Sequence, residues 1–240
     1  MKTNYFESHQ SYVTEFKNKE HCRKQEDKKL KKEILRFFPI NKSKWNNKIN
    51  VLEIGFGNWK FANFCHNQWF NYIWIDIDDY FAEQLKKQFP NYVFICSSFQ
   101  DFSDEYKKEF DVVFLSHTFE HLNDIQRSEC IKSIYEMLKD WGRWINYMPN
   151  ADTILRLWTV RYNDITHFTV YNHHSFSQLL HSSWYFKNIE SYNTIVWFSN
   201  IFYRISHIIF LFFTKLYYLW IWASFPKVYT QEFISVIKKD

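Results

Sequence analysis

From residue 49 onward, short apolar runs alternate with stretches whose apolar positions recur every three to four residues. This is the pattern of a parallel sheet with crossover helices. It predicts strands at 50–54, 72–77, 92–96, 111–116 and 143–148, with helices at 60–68, 80–89 and 124–139 between them. Pro90, Gly142 and Pro149 punctuate the runs. Beyond a polar stretch after Pro149, the pattern predicts a helix at 175–181 and strands at 186–192 and 232–237. Residues 1–48 are polar and charged, but Leu30, Ile34, Leu35 and Phe38 line one face of an expected helix over 26–38 that Pro39 stops. Its lysines stay in water while that face packs on the core.

One segment departs from the alternation. Within 195–226 the run from Ile205 to Pro226 is almost wholly apolar and aromatic, interrupted by His207 and Lys215. A bilayer-spanning helix needs about 20 consecutive apolar residues, and a charge near the middle is costly, so a simple crossing is disfavoured. Two uses are expected instead: a helix lying in a membrane interface, or one packed on the domain or on a second copy as a homodimer contact. The expected organisation is a helical extension (1–48), one α/β domain (49–194 and 227–240) and an apolar helical insertion (195–226).

At 240 residues the chain can bury one substantial core. Its net charge of +4 comes from lysines and arginines interleaved with acids, a solvated face that argues against nucleic-acid binding. Cys22, Cys65, Cys96 and Cys130 are scattered without CxxC pairing, and no signal peptide is evident. That usage points to a reducing cytoplasm, with peripheral membrane attachment left open by 195–226.

The chemistry-bearing pattern begins at Val51-Leu52-Glu53-Ile54-Gly55-Phe56-Gly57, an apolar strand ending in a carboxylate and two alternate glycines just before a helix. Glycines permit a tight bend and close approach of a ligand, and the helix offers unpaired N–H groups to an anion. About twenty residues later Asp76 ends a second strand, where a carboxylate can accept both hydroxyls of a ribose.

These residues resemble the class I S-adenosylmethionine-dependent methyltransferases from about Lys48 to the C-terminus. VLEIGFGN is similar to their first motif, YIWIDID to the second and FDVVFLSHTFEHL to the fourth-strand motif. INYMPNA and DITHFT resemble segments of the branch found among polysaccharide and O-antigen biosynthesis genes. The resemblance implies a doubly wound, Rossmann-like sheet of seven strands in order 3-2-1-4-5-7-6, with the apolar insertion between strands six and seven. It implies S-adenosylmethionine as cofactor, with Glu53, Gly55 and Gly57 forming its loop and Asp76 holding its ribose. It places Ser97 and Ser98 by the adenine, and Ser116 and His117 beside the methyl donor.

The family loop continues to a further glycine where this chain has Trp59. Trp74, Trp141 and Trp184 likewise stand where the resemblance expects glycine. The chain holds only 3 glycines against 11 tryptophans, whereas about 7% glycine is usual. A gene using UGA for glycine, translated with UGA as tryptophan, would account for both numbers, and UGG codons at those positions would exclude it. Genuine aromatic replacements would instead indicate a catalytically inactive relative, a membrane-associated scaffold of the same fold.

Methyl transfer to a hydroxyl needs a base as well as positioning. His121 and His167 are the candidate bases, with Asp164 expected to orient His167, because both segments follow strands that end on the cofactor edge. The acceptor expected from the resemblance is a small molecule or glycan hydroxyl. No metal-ligand spacing links the histidines, so no metal is expected. An NAD-dependent oxidoreductase would require glycine at Lys60.

Overall fold

The computed structural model describes residues 30–39, 48–55, 60–77, 83, 86, 90, 92–153, 164–194, 201–221 and 223–240. Seven strands form one sheet: β1 (Asn50–Ile54), β2 (Asn71–Asp76), β3 (Val93–Cys96), β4 (Phe110–Ser116), β5 (Leu138–Pro149), β6 (Asn188–Asn193) and β7 (Glu232–Lys238). Their order is β3-β2-β1-β4-β5-β7-β6, as the resemblance implied. β1 to β5 run parallel, and β7 is antiparallel to both β5 and β6.

The apolar runs are buried on both faces of the sheet, which is why β1 and β4 read as continuous hydrophobic stretches. One face carries Leu52, Ile54, Val113 and Leu115 against α3 (Asp124–Met137) and α4 (His173–Ser182). The other carries Val51, Val112, Phe114 and Ile145 against Phe61 and Phe64 of α1 (Lys60–Asn67), with Ile34, Phe37 and Phe38 from the N-terminal segment. α2 (Phe99–Glu105) follows β3, and α5 (Ile201–Trp220) lies between β6 and β7. Asn123 and Asn172 close capping boxes at the starts of α3 and α4.

Two expectations need correction, and a third lies largely outside the described residues. The helix expected over 26–38 gives way at Ile34 to a 3-10 turn, Leu35–Phe37, which seats Phe37 and Phe38 in the core. β5 begins at Leu138, not at 143. Its register jumps from Leu138 opposite Phe110 to Arg143 opposite Val112, so Lys139 to Gly142 bulge from the ladder. The helix expected over 80–89 lies outside the described residues apart from Glu83 and Lys86, which are helical. Among the described residues no helix is long and apolar enough to cross a membrane.

Candidate functional site

β1, β4 and β5 end together, and the bend leaving β1 sits at the centre of this carboxyl edge. Gly55 adopts φ +91°, and a Cβ there would lie 2.3 Å from Thr118 Oγ1, so the turn admits only glycine. Its amide donates to Ile75 O at 3.1 Å, which pins the bend to the tip of β2. Asp76 is the next residue along β2, half-buried and close enough to Glu53 for their charges to interact. Gly57 and Trp59 lie outside the described residues.

Glu53 is 2% exposed. Burial, partly opposed by the hydrogen bond from Tyr72 and reinforced by Asp76, raises its pKa to about 8. Tyr72 Oη donates to Oε2 at 2.5 Å, and Oε1 is buried with no hydrogen-bond partner. A buried carboxyl oxygen without a donor is costly in isolation, and fits a ligand that brings its own cation or N–H groups. The bend, this orphan oxygen and Asp76 therefore suit a ligand combining an ammonium group with a ribose.

Ser97 and Ser98 follow β3 on the same edge, where the Ser97 amide donates to Asp76 O at 2.9 Å. The Ser98 hydroxyl is engaged at the start of α2, accepting from the Asp101 amide at 3.1 Å and donating to Asp101 Oδ2 at 2.8 Å. Its side chain thus serves as a helix cap.

The fourth-strand motif turns over the Gly55 bend. Ser116 ends β4, and Thr118 Oγ1 reaches Ile54 O at 3.3 Å as the following 3-10 turn, Phe119–His121, begins. His117 takes φ 51° and points its ring between two acids, Nδ1 3.4 Å from Glu120 and Nε2 3.3 Å from Glu232. Burial alone would discharge the ring, but the nearby carboxylates of Glu120 and Glu232 outweigh it, raising the pKa to about 10. His117 is a fixed cation at neutral pH.

His121 and His167 come together, ring centroids 4.7 Å apart, because Glu120 O accepts from the Phe168 and Thr169 amides and draws the 164–169 loop onto the turn. The expected pairing of Asp164 with His167 is a close contact rather than a hydrogen bond, with Asp164 Oδ2 3.9 Å from His167 Nε2, while Oδ1 of the same carboxylate accepts from the Thr166 hydroxyl at 2.5 Å. Since that hydroxyl proton is committed, His121 Nδ1 at 2.7 Å must donate to Thr166 Oγ1. The relay Asp164–Thr166–His121 makes Nε2 the unprotonated nitrogen of a neutral His121 ring. Burial first, joined by His167 and opposed by Glu120 and Asp164, lowers the His121 pKa.

Sequence reading missed Thr118, Thr166 and Glu232. Thr166 stands between Asp164 and His167 in sequence, and its hydroxyl also links the Asp164 carboxylate to His121. Glu232 enters through antiparallel pairing of β7 with β5, for which the sequence carries no local signal. Glu120, His121 and His167 also place one potential ligand atom each within 4.8 Å of one another, a grouping that could hold a metal ion. His117 already neutralises Glu120 there.

The architecture recurs in solved proteins. A SAM-dependent methyltransferase from Archaeoglobus fulgidus superposes with a TM-score of 0.64 at 19% identity, over 90% of this chain and 94% of that one. A SAM-dependent methyltransferase from Thermotoga maritima gives 0.59 at 12% identity over 100% and 97%. The 1,6-didemethyltoxoflavin-N1-methyltransferase of Burkholderia thailandensis, solved with S-adenosylhomocysteine, gives 0.57 at 11% identity over 99% and 86%. No curated protein matches the sequence. Residues 22–183 match the family model described as a methyltransferase domain, which spans more than half of the chain. With that match and the sheet order above, the chain belongs to the methyltransferase domain family.

Proposed function

We propose that the chain uses S-adenosylmethionine to methylate a hydroxyl group, on a sugar, polysaccharide precursor or other small molecule. One observation carries the reading: Thr118 joins two half-sites on a single sheet edge. On one side lie the Gly55 bend, the orphan Glu53 oxygen and Asp76, and on the other the turn bearing His121. Glu53 would meet the cofactor's ammonium group and Asp76 its ribose. When bound, the cofactor supplies an electrophilic methyl group on a sulfonium.

The protein's own contribution is orientation and a proton acceptor. Held as the Nδ1–H tautomer by Thr166 and Asp164, His121 can take the acceptor hydroxyl's proton at Nε2. The resemblance of INYMPNA and DITHFT to the polysaccharide-associated branch supports a glycan acceptor. A second reading, a non-catalytic scaffold, is favoured by Trp74, whose indole is buried beneath the bend and donates to Gly55 O at 2.5 Å. Calorimetric titration separates the readings: S-adenosylhomocysteine should bind and NAD should not. Absence of S-adenosylhomocysteine binding by a folded chain with glycine at 59 and 74 would leave the scaffold.

A further inference from the structure

We propose that glycine, not tryptophan, is the natural residue at positions 69, 141 and 184, and by the same cause at 59 and 74. Among the described residues five non-glycines have positive φ, and three of them are tryptophans: Trp69 at 61°, Trp141 at 68° and Trp184 at 64°. A bulky side chain rarely occupies this region, because its Cβ crowds the backbone. All three indoles are also 79% to 87% exposed, so no packing compensates for the strain.

Local hydrogen bonding specifies glycine independently of φ. After α1, the Trp69 amide donates to His66 O and the Phe70 amide to Cys65 O, the paired bonds of a Schellman motif. Trp69 holds the left-handed position of that motif, where glycine is the usual residue. After α4, the Trp184 amide donates to His181 O in the corresponding place. Trp141 lies at the apex of the β5 bulge, beside Gly142, where an added Cβ would come 2.8 Å from Lys139 O.

Trp141 and Trp184 also stand at motif positions where the family resemblance expects glycine, whereas Trp69 is identified by its conformation alone. One cause covers them all together with the composition, namely UGA codons for glycine read as tryptophan. At Trp74 the consequence is functional: glycine there would remove the indole wedged against the Gly55 carbonyl, opening the floor of the proposed donor pocket.

The codons decide the matter. UGA at 59, 69, 74, 141 and 184 is expected, and UGG at 69, 141 and 184 would overturn the proposal. The full chain carrying Trp69→Gly, Trp141→Gly and Trp184→Gly should melt at a higher temperature than the chain with indoles, and an unchanged or lower Tm would count against the backbone argument. Adding Trp59→Gly and Trp74→Gly should tighten S-adenosylhomocysteine binding by about tenfold or more. UGA codons without any such binding would sink the donor reading while leaving the recoding intact.

A second inference rests on α5 and invokes no tryptophan. We infer that α5 docks on an anionic membrane surface. His207, Leu211, Thr214 and Tyr218 form its less exposed stripe, whereas Phe202, Ile205, Ile208, Ile209, Phe213 and Leu219 face outward. An apolar surface this continuous is not left to water in a monomer. No Asp or Glu occurs from 191 to 231, while Arg204, Lys215 and Lys227 do, so the segment is complementary to anionic headgroups. A two-fold dimer through this face would repeat the same cations with no acid in the segment to answer them.

The stem of the segment is tied to the sheet. The Asn193 side chain bonds Lys227 O, the Tyr229 amide and the Thr230 amide, while Asn150 Nδ2 donates to Val228 O and Thr230 O. β6 ends and β7 begins on the carboxyl edge, so α5 leaves from the edge that carries His121. The full chain should sediment with vesicles of phosphatidylcholine and phosphatidylserine and not with phosphatidylcholine alone. Arg204→Glu with Lys215→Glu should weaken that binding by about tenfold or more while preserving the circular dichroism spectrum. Equal binding to both vesicles, or a stable dimer that ignores vesicles and dissociates in Phe213→Ser, would overturn the inference.

Discussion

The two halves of the carboxyl edge are built by different means. On the side proposed for the donor, a dihedral that only glycine adopts and two carboxylates on adjacent strands lie within one β-α-β unit. On the side proposed for the acceptor, the turn after β4, the 164–169 loop and β7 each supply side chains that meet only in the folded chain. A donor shared by many enzymes can be held by a local motif. An acceptor specific to one enzyme calls for groups gathered from distant segments, and those are free to vary without disturbing the motif.

The largest expected effect breaks the donor side alone. Asp76→Ala should weaken S-adenosylhomocysteine binding by about 100-fold, the scale of losing charge-assisted hydrogen bonds worth roughly 3 kcal/mol. Calorimetry checks it, and the Tm should stay near that of the parent because the carboxylate is only half-buried. A loss below about threefold would show that Asp76 does not hold the ribose.

Next comes the acceptor side. His121→Gln should lower turnover by about 100-fold, within the usual range for a general base, and leave donor affinity unchanged. Thr166→Val should produce a smaller loss, about tenfold, because His121 remains but its tautomer is no longer enforced. Release of S-adenosylhomocysteine in the presence of hydroxylated glycan acceptors measures both. If Thr166→Val had no effect while His167→Gln abolished turnover, the relay would be assigned to the wrong histidine.

This division also explains what the sequence made legible. Strand positions followed from apolar periodicity and the sheet order from the family resemblance, and β1 was bounded correctly because its run is closed by Glu53 and Gly55. The start of β5 was misplaced because Gly142 reads as a turn, whereas the chain absorbs the extra residues as a bulge without leaving the sheet. Asp164 and both histidines were visible, but not their pairing. A two-residue step from Asp164 lets Thr166 intercept the carboxylate, and only three-dimensional geometry distinguishes that from a direct bond. Glu232 is reached across a strand pair 115 residues beyond His117 (232 − 117 = 115), so its role lies wholly in tertiary structure.

The smallest expected effect sharpens the boundary between the halves. His117 lies between Glu120 and Glu232 with its pKa raised from 6.5 to about 10. The folded state therefore retains a proton that the unfolded chain releases near pH 6.5, so this stabilisation is complete below 6.5 and disappears as pH rises through about 10. Glu53 works through a lower window. Its raised pKa makes stability fall between about 4.5 and 8 and then level off. Burial of the Cys65 and Cys130 thiols makes stability fall again above about 9, so over the interval from 8 to 10 His117 is read from the difference between the parent and a variant lacking one of its partners. The ring is partly solvated, so the contribution should be about 1 kcal/mol or less. Thermal melts should show the Tm falling across that interval, with a shallower fall in Glu232→Gln because one of the two partners is gone. Identical slopes in the two proteins would mean that β7 does not anchor the His117 turn, and the acceptor side would then rest on the 164–169 loop alone.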